Sequence, residues 1–486
     1  MMTSLFFYLV HAVYLVAFVL LLVGLKQLSR IKTARRGNLF VIVATVLAVS
    51  ATLFDLLLFH ENFNPMFIAI GGGVGALIGV IIALRTQAEK APQAVALMNA
   101  MGGAASVFVA LSFFSATLEK LGGKAGKSLY DVLPPQDAIS LVLAFLFGWF
   151  ALVASVVTFG RLAGANWVGK KPIRFLGLPL VQLVLFCGSL FLAYVFVFMA
   201  TSPWEQIGLL FAIALTCTAM GLLLVLPIAR LDLSTVLSLI NAYTGVAAAL
   251  TGFLLHNPML MMGGALVGAA GYILTVMMCR NSGRSMLQVL LGGVQAEEIA
   301  EIKAQGHDPI RRTDAEEVAV LLNLAKKVIV VPGYGMALSQ AQHSLHELVK
   351  MLQARKCKVH YAIHPVAGRM PGHINMLLSE AHVPHKQQYE FDVIDKEFAS
   401  ADLAIVLGGN DIVNPDAKVK KDSPIYGMPV FSVNKAKRVL VIKRSLSGGY
   451  SRMANPLFSG ENTLMYLRDA RTALEEITRV LKTGDH

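Results

Sequence analysis

Nine runs of apolar residues, each long enough to cross a lipid bilayer, fill the first 280 residues of this chain. A span needs roughly 20 apolar residues to cover about 30 Å of hydrocarbon. With no water there to bind backbone N–H and C=O groups, runs of this length can serve only as helices. They lie near residues 5–25, 38–59, 65–84, 93–117, 136–160, 175–200, 205–228, 233–255 and 257–279. Charge divides at the same place: residues 1–280 hold 16 Lys/Arg and 8 Asp/Glu, whereas residues 281–486 hold 26 and 22. This asymmetry excludes both a uniformly soluble chain and a disordered one. The expectation is a membrane domain over residues 1–280, a linker over 281–312 and a soluble domain over 313–486.

The first run has no basic residue before it and no small-residue cleavage site, so it reads as an anchor rather than a signal peptide. Loop charges give an orientation. Lys26, Arg35, Arg36, Arg85, Lys90, Arg161, Lys170, Lys171, Arg230 and Arg280 fall after odd-numbered spans, and the alternate loops hold only Lys120, Lys124 and Lys127. Basic loops stay on the cytoplasmic side, which places the N-terminus outside and the C-terminal domain in the cytoplasm. The net charge of +12 needs no nucleic-acid partner, since no dense Lys/Arg stripe with interleaved aromatics is present. Four cysteines without a CxxC pair or a Cys/His cluster indicate neither a disulfide framework nor a metal site.

Small residues recur at one-turn spacing at Gly71, Gly75 and Gly79, and again at Gly264 and Gly268, as where helix backbones approach closely in lipid. Polar residues deep in spans cost free energy and are more telling. Asn99 lies nine residues after Lys90 and Asn241 eleven after Arg230, which puts both amides about 14–16 Å above the inner boundary. Thr244 follows Asn241 on the same face, and Asp232 stands at the inner mouth of that helix. Helix–helix hydrogen bonding and a proton or ion path both account for this set. His11, His60 and His256 fall near the outer boundaries, where a partly hydrated histidine is unremarkable.

In the soluble part, Thr313-Asp314-Ala315-Glu316 has the spacing of a capping box opening a helix to about Leu324. Strand candidates are Lys327–Val331, 358–363, 402–407, 429–433 and 438–442, with an amphipathic helix to about Gln353 and a last helix over roughly 461–481. Alternating strands and helices argue an α/β Rossmann-like, doubly wound parallel sheet. The first strand runs into Gly333-Tyr334-Gly335-Met336, the usual dinucleotide position, although Leu338 stands where a third glycine or alanine is customary. A plain glycine turn would read the same way. No carboxylate ends the second strand to hold a ribose hydroxyl. His364 and Arg369 follow it instead, and the last strand ends Lys443-Arg444-Ser445, donors suited to a 2′-phosphate. Gly408-Gly409-Asn410-Asp411 follows another strand, where doubly wound sheets bind ligands, and Gly448-Gly449-Tyr450 opens a candidate lid.

Taken together, PGYGMALSQAQ (332–342), HPVAGRMPGH (364–373), GGNDIVNP (408–415) and KRSLSGGY (443–450), after nine spans that include LINAYTG (239–245), resemble the β subunit of proton-translocating NAD(P) transhydrogenase over nearly the whole chain. The resemblance implies a Re/Si-specific hydride transfer between NADP(H) on this chain and NAD(H) on a partner α subunit, coupled to proton movement across a bacterial inner membrane. The α chain would also bring extra membrane helices, and the αβ unit would pair as a dimer. It assigns cofactor contacts to Gly333, Tyr334, Gly335, Met336, Val366, Ala367, Gly368, Arg369, Met370, Pro371, Gly408, Lys443, Arg444, Ser445 and Gly449. Asn410, Asp411 and Tyr450 would stand nearest the chemistry, and Asn99, Asp232, Asn241 and Thr244 along the proton path. Several members carry an ionisable His where this chain has Asn99; a partner-helix His is the expected replacement, because Asn cannot titrate. Other readings are a transporter or channel whose Rossmann domain senses nucleotide, and a membrane-tethered NADP reductase.

Overall fold

The computed structural model describes residues 2–28, 33–59, 65–87, 90–121, 128–169, 173, 175, 177–228, 232–281, 285–286, 289, 310–365, 367, 372–421, 423, 425–446 and 453–483. Two compact units divide the chain within residues 276–294, and each is taken by itself.

The membrane unit consists of α1 (Met2–Leu28), α2 (Ala34–Phe59), α3 (Pro65–Arg85), α4 (Ala91–Leu121), the one-turn α5 (Leu129–Val132), α6 (Pro135–Ala163), α7 (Leu178–Phe198), α8 (Pro203–Val225), α9 (Leu233–Leu254) and α10 (Pro258–Asn281). Nine of these are long and apolar enough to cross a membrane, at the positions the apolar runs mark. The centre is α6, which packs against α4, α7, α8 and α9. Leu141, Phe145 and Leu146 on α6 meet Phe196 on α7 and Ile213 and Cys217 on α8 in one buried cluster. A second cluster toward the other end joins Ala154 and Val157 to Val225, Leu233, Val236 and Ile240.

Glycine sets the closest seams. A Cβ on Gly103 of α4 would lie 2.7 Å from the Gly148 carbonyl of α6. On Gly245 of α9 it would lie 2.3 Å from the Gly268 nitrogen of α10, and on Gly264 it would lie 2.4 Å from the Ala249 nitrogen. The expected stripe at Gly71, Gly75 and Gly79 behaves otherwise, because nothing described approaches those positions within 4 Å. The α3 helix buries no residue within the chain. Arg161, at the end of α6, is buried because its guanidinium donates to the carbonyls of Val225 and Leu226 at 2.9 and 2.6 Å, at the C-terminal end of α8.

The second unit is built on six parallel strands in the order β3-β2-β1-β4-β5-β6. They are β1 (Lys327–Pro332), β2 (Lys358–Ile363), β3 (Gln388–Glu390), β4 (Leu403–Leu407), β5 (Arg438–Lys443) and β6 (Thr463–Leu467). β1 and β4 are buried almost throughout, which is why they read as unbroken β-branched and aliphatic runs. The fold class expected from sequence is the one found. Four local expectations change. Residues 429–433 form no strand: β4 pairs directly with β5, and this segment is held instead by Phe431 N–H to the Ile412 carbonyl and Ser432 N–H to Asp395. The last helix is Ala470–Thr483, since Thr463–Leu467 is the edge strand β6, covered by Arg311–Thr313 through paired backbone bonds to Met465. The helix after β1 breaks at Gln340, φ 54°, into Tyr334–Ser339 and Gln342–Ala354. At Ala315–Leu324 the N-cap is Asp314 rather than Thr313, whose hydroxyl donates to Glu317.

Candidate functional site

The sheet reverses direction between β1 and β4, the place where doubly wound sheets open a crevice at their carboxyl ends. Gly333 follows β1 and Gly408 follows β4, and their loops interlock. Gly335 N–H donates to the Gly408 carbonyl at 3.1 Å, and Gly333 N–H to that of Leu407 at 2.9 Å. A Cβ on Gly335 would fall 2.5 Å from the Gly408 Cα, and one on Gly408, φ 63°, 2.2 Å from the Gly335 Cα. Only glycine fits on either side, so backbone rather than side chain lines this part of the crevice. Tyr334 is half-buried at the helix start, whereas Met336 is fully buried and belongs to the core beneath it.

Asn410 ties three segments together at the mouth. Its amide donates to Asp411 Oδ1 at 2.9 Å and to the Met453 carbonyl at 3.4 Å, and its Oδ1 accepts from Lys443 Nζ at 3.1 Å. Asn455, itself buried, donates to the Asn410 carbonyl at 3.0 Å. Lys443 lies over the Phe458 ring, 4.7 Å from its centroid. Burial pulls its ammonium down to about 8, partly offset by the Asp411 carboxylate. Arg444, the next residue along the strand, points elsewhere, with Nε 3.8 Å from Asp469, and Ser445 is exposed. Lys443 and Arg444 therefore engage different partners here rather than one common point.

His364, at the end of β2, is buried with its Nε2–H donating to the Pro429 carbonyl at 2.6 Å and its ring edge-on to Phe391 and Phe431. Burial pushes its pKa down to about 4. Ala367 is buried in the turn that follows. Val366, Gly368, Arg369, Met370, Pro371, Gly449 and Tyr450 lie outside the described residues. His364 and Asn414 stand inside motifs visible in the sequence, which does not show that the His364 ring is buried or that the Asn414 amide donates to the Ala454 carbonyl at 3.0 Å; Asn455 lies outside those motifs. Both asparagines precede proline, a turn-initiating pair that would have signalled them.

In the membrane unit, Asn99 is buried and its Nδ2 has no hydrogen-bond partner among the described residues. A Cβ on Gly102, three residues further along α4, would lie 2.9 Å from the Thr244 methyl, three residues beyond Asn241 on α9. Because both helices cross in the same direction, that contact places Asn99 and Asn241 at one depth. Thr244 itself donates to the Ile240 carbonyl at 3.0 Å, and Asp232 is buried at the N-cap of α9.

A parallel-sheet crevice lined by interlocked glycines, in one chain with nine membrane-crossing helices, is the combination that a family comparison can test. The family model of the NAD(P) transhydrogenase beta subunit matches residues 10–480. The chain belongs to that family. Two curated relatives from Rhodospirillum rubrum, each named NAD(P) transhydrogenase subunit beta, are 40% identical to it over 473 residues, which is 97% of this chain and 98% of theirs. As a transhydrogenase beta chain, it is one subunit of an enzyme that works on nicotinamide nucleotides. Its membrane helices make it a membrane protein.

Proposed function

We propose that the chain is the NADP(H)-binding, membrane-spanning subunit of a proton-translocating transhydrogenase, exchanging hydride with NAD(H) held on an α partner while protons cross a bacterial inner membrane. The observation that carries this reading is the pair of interlocked glycine loops, Gly333–Gly335 against Gly408, with Asp411, Asn410 and Lys443 chained at their mouth. These residues fit a dinucleotide: the loops leave room for a backbone-lined approach that any Cβ would fill, and the basic end of β5 faces no carboxylate at the end of β2. When bound, the nicotinamide supplies the redox chemistry, and the protein supplies position, charge and exclusion of water.

In this scheme Gly333, Tyr334, Gly335 and Gly408 form the cradle, and Arg444 and Ser445 offer exposed donors to a 2′-phosphate beside the half-buried charge of Lys443. Val366 to Pro371 and the Gly449–Tyr450 loop close over the nucleotide. Asp411 links protonation to affinity: an added proton removes the negative charge that holds the Asn410 amide and attracts Lys443, and so loosens the chain that fixes the mouth. Two states of different NADP(H) affinity, biased by proton entry, would supply the coupling free energy. The membrane path would run by Asp232 and the level shared by Asn99, Asn241 and Thr244. The orphaned Nδ2 of Asn99 needs a partner there, which a water or an α-subunit histidine provides. The N-terminus lies outside and residues 313–486 face the cytoplasm, with Re/Si-specific transfer and a dimer of αβ units as the family resemblance implies.

Calorimetric titration of the purified full chain, without its partner, by NADPH and NADH in parallel tests the assignment. Tight NADPH binding with much weaker NADH binding is expected, with the gap narrowed in Arg444→Gln. Equal affinity for both nucleotides sinks the 2′-phosphate reading.

A further inference from the structure

At the end of the bundle where α6 and α10 begin, Asp137 lies in the first turn of α6. It is 6% exposed, its Oδ1 is buried with no hydrogen-bond partner among the described residues, and its Oδ2 is 3.5 Å from Nε2 of His256. The imidazole is the reverse, 67% exposed, in the turn between α9 and α10. A carboxylate in a first helical turn is favoured by the helix dipole, which explains the charge but neither the orphaned oxygen nor the imidazole set against its fellow. A buried acceptor without a partner is costly.

The turn that presents His256 is firmly held. His256 sits at φ 51°, in the left-handed region, and Asn257 beside it donates to the Tyr14 and Thr52 hydroxyls at 3.3 Å and accepts from Leu260 N–H at 2.9 Å. Two helical rulers then place the pair. Along α9, His256 is 15 residues from Asn241, about 22 Å at 1.5 Å per residue. Along α6 and α4, Asp137 is 11 residues from Gly148, Gly148 meets Gly103, and Asn99 is four residues further, again about 22 Å. Both routes end at the level of the two amides, and Ser140, Ser106 and Thr251 bury hydroxyls along the same three helices.

We propose that Asp137 and His256 form a proton port of the membrane unit, at the end of the bundle where α6 and α10 begin. The inference rests on the proton-translocating reading above. The step balances simply. A proton from water adds to Nδ1 of neutral His256, the Nε2 proton passes to Oδ2 of Asp137, and the products are a neutral carboxyl and a neutral imidazole. Rotation of the carboxyl turns its O–H inward, and the exposed ring regains its Nε2–H by exchange with water. Other titratable groups on the elements packed against α6 are, among the described side chains, Asp131 and Tyr130 on α5, Glu205 and Cys217 on α8, Tyr194 and Cys187 on α7, and Tyr243 on α9. Asp131 is committed to Ser128 and Glu205 to the N–H groups of Thr201 and Ser202.

The test uses the complete αβ complex in liposomes with nucleotides in the medium, varying luminal pH at fixed medium pH and reading proton uptake with a dye. Asp137→Asn should slow pumping about tenfold or more with NADPH affinity unchanged, and Asp137→Glu should restore most of it. His256→Gln, an exposed change that leaves packing intact, should keep pumping at acidic lumen and lose it as the lumen becomes alkaline. Wild-type rates and luminal-pH profiles in both variants overturn the port, and so does a slowing that ignores luminal pH. A wild-type complex that transfers hydride without moving luminal protons overturns the underlying reading instead, and shows it before any variant is made.

Discussion

The two units spend the same residue types in opposite ways. In the parallel-sheet unit, Val328, Ile329, Val330 and Val331 are wholly inside, and Gly335 and Gly408 interlock two loops at the carboxyl ends of the strands. In the membrane unit, Phe67 and Leu84 are 75% and 82% exposed, while Gly103, Gly148, Gly245, Gly264 and Gly268 make the inner seams. Water drives large apolar side chains inward in the first case. In a bilayer that drive is missing between helices, so backbone approach and polar contacts decide which surfaces meet. A Trp149 Nε1–H to Thr218 bond at 2.9 Å and Ser238 to the Gly271 carbonyl at 3.1 Å are the kind of link that replaces it.

The sharpest test of that comparison substitutes glycines on both sides of it. Gly335→Ala drives a methyl into the Gly408 Cα and should cost about 3 kcal/mol, abolishing NADPH binding by calorimetry. Gly264→Ala should cost a similar amount in the membrane unit, read as loss of assembled complex in detergent. If Gly264→Ala proves harmless, the seam is not what holds α9 to α10.

Acid should separate the units next. His364 is held down to about 4 against an ordinary 6.5, so its contribution is present above pH 6.5 and is lost as pH falls toward 4. That is worth about 3 kcal/mol in full. Thermal melts from pH 7 to 4.5 should show the parallel-sheet unit weakening, with a flatter acid limb in His364→Phe; parallel limbs would mean that the ring is hydrated.

Smaller effects mark the mouth and the mid-membrane level. Asp411→Asn should change NADPH affinity about tenfold and flatten its pH dependence, as followed by titration at several pH values. Asn241→Leu should slow proton-coupled turnover severalfold while leaving NADPH titrations alone, and undiminished pumping would reduce Asn241 to packing. Gly71→Ala, with open space around it, should alter stability of the isolated chain by less than about 0.5 kcal/mol.

How much of this was legible depended on how far each signal reaches along the chain. The nine spans and the strands β1, β2, β4 and β5 announce themselves because length and apolar content are local properties. β6 was read into the last helix because Thr463–Leu467 meets the helix beyond it with no Gly or Pro between them. Residues 429–433 have a strand-like composition, but their backbone bonds go to the Ile412 carbonyl and to Asp395 rather than to a strand, which only the fold reveals. At the site, the glycine loops were visible in sequence, yet their interlocking was not, because Gly335 and Gly408 lie 73 residues apart. The same separation hid the bond from Asn455 to Asn410, the burial of His364 and the meeting of Asp137 with His256.

The seam between α9 and α10 has one mechanical consequence. Backbone lies on backbone at Gly245, Gly264 and Gly268, so no compressible side chain fills the gap and no rotamer can absorb a displacement. The helix that carries Asn241 and the helix that continues in sequence toward the parallel-sheet unit thus behave as one stiff push-rod, and a shift at mid-membrane reaches its far end without slack.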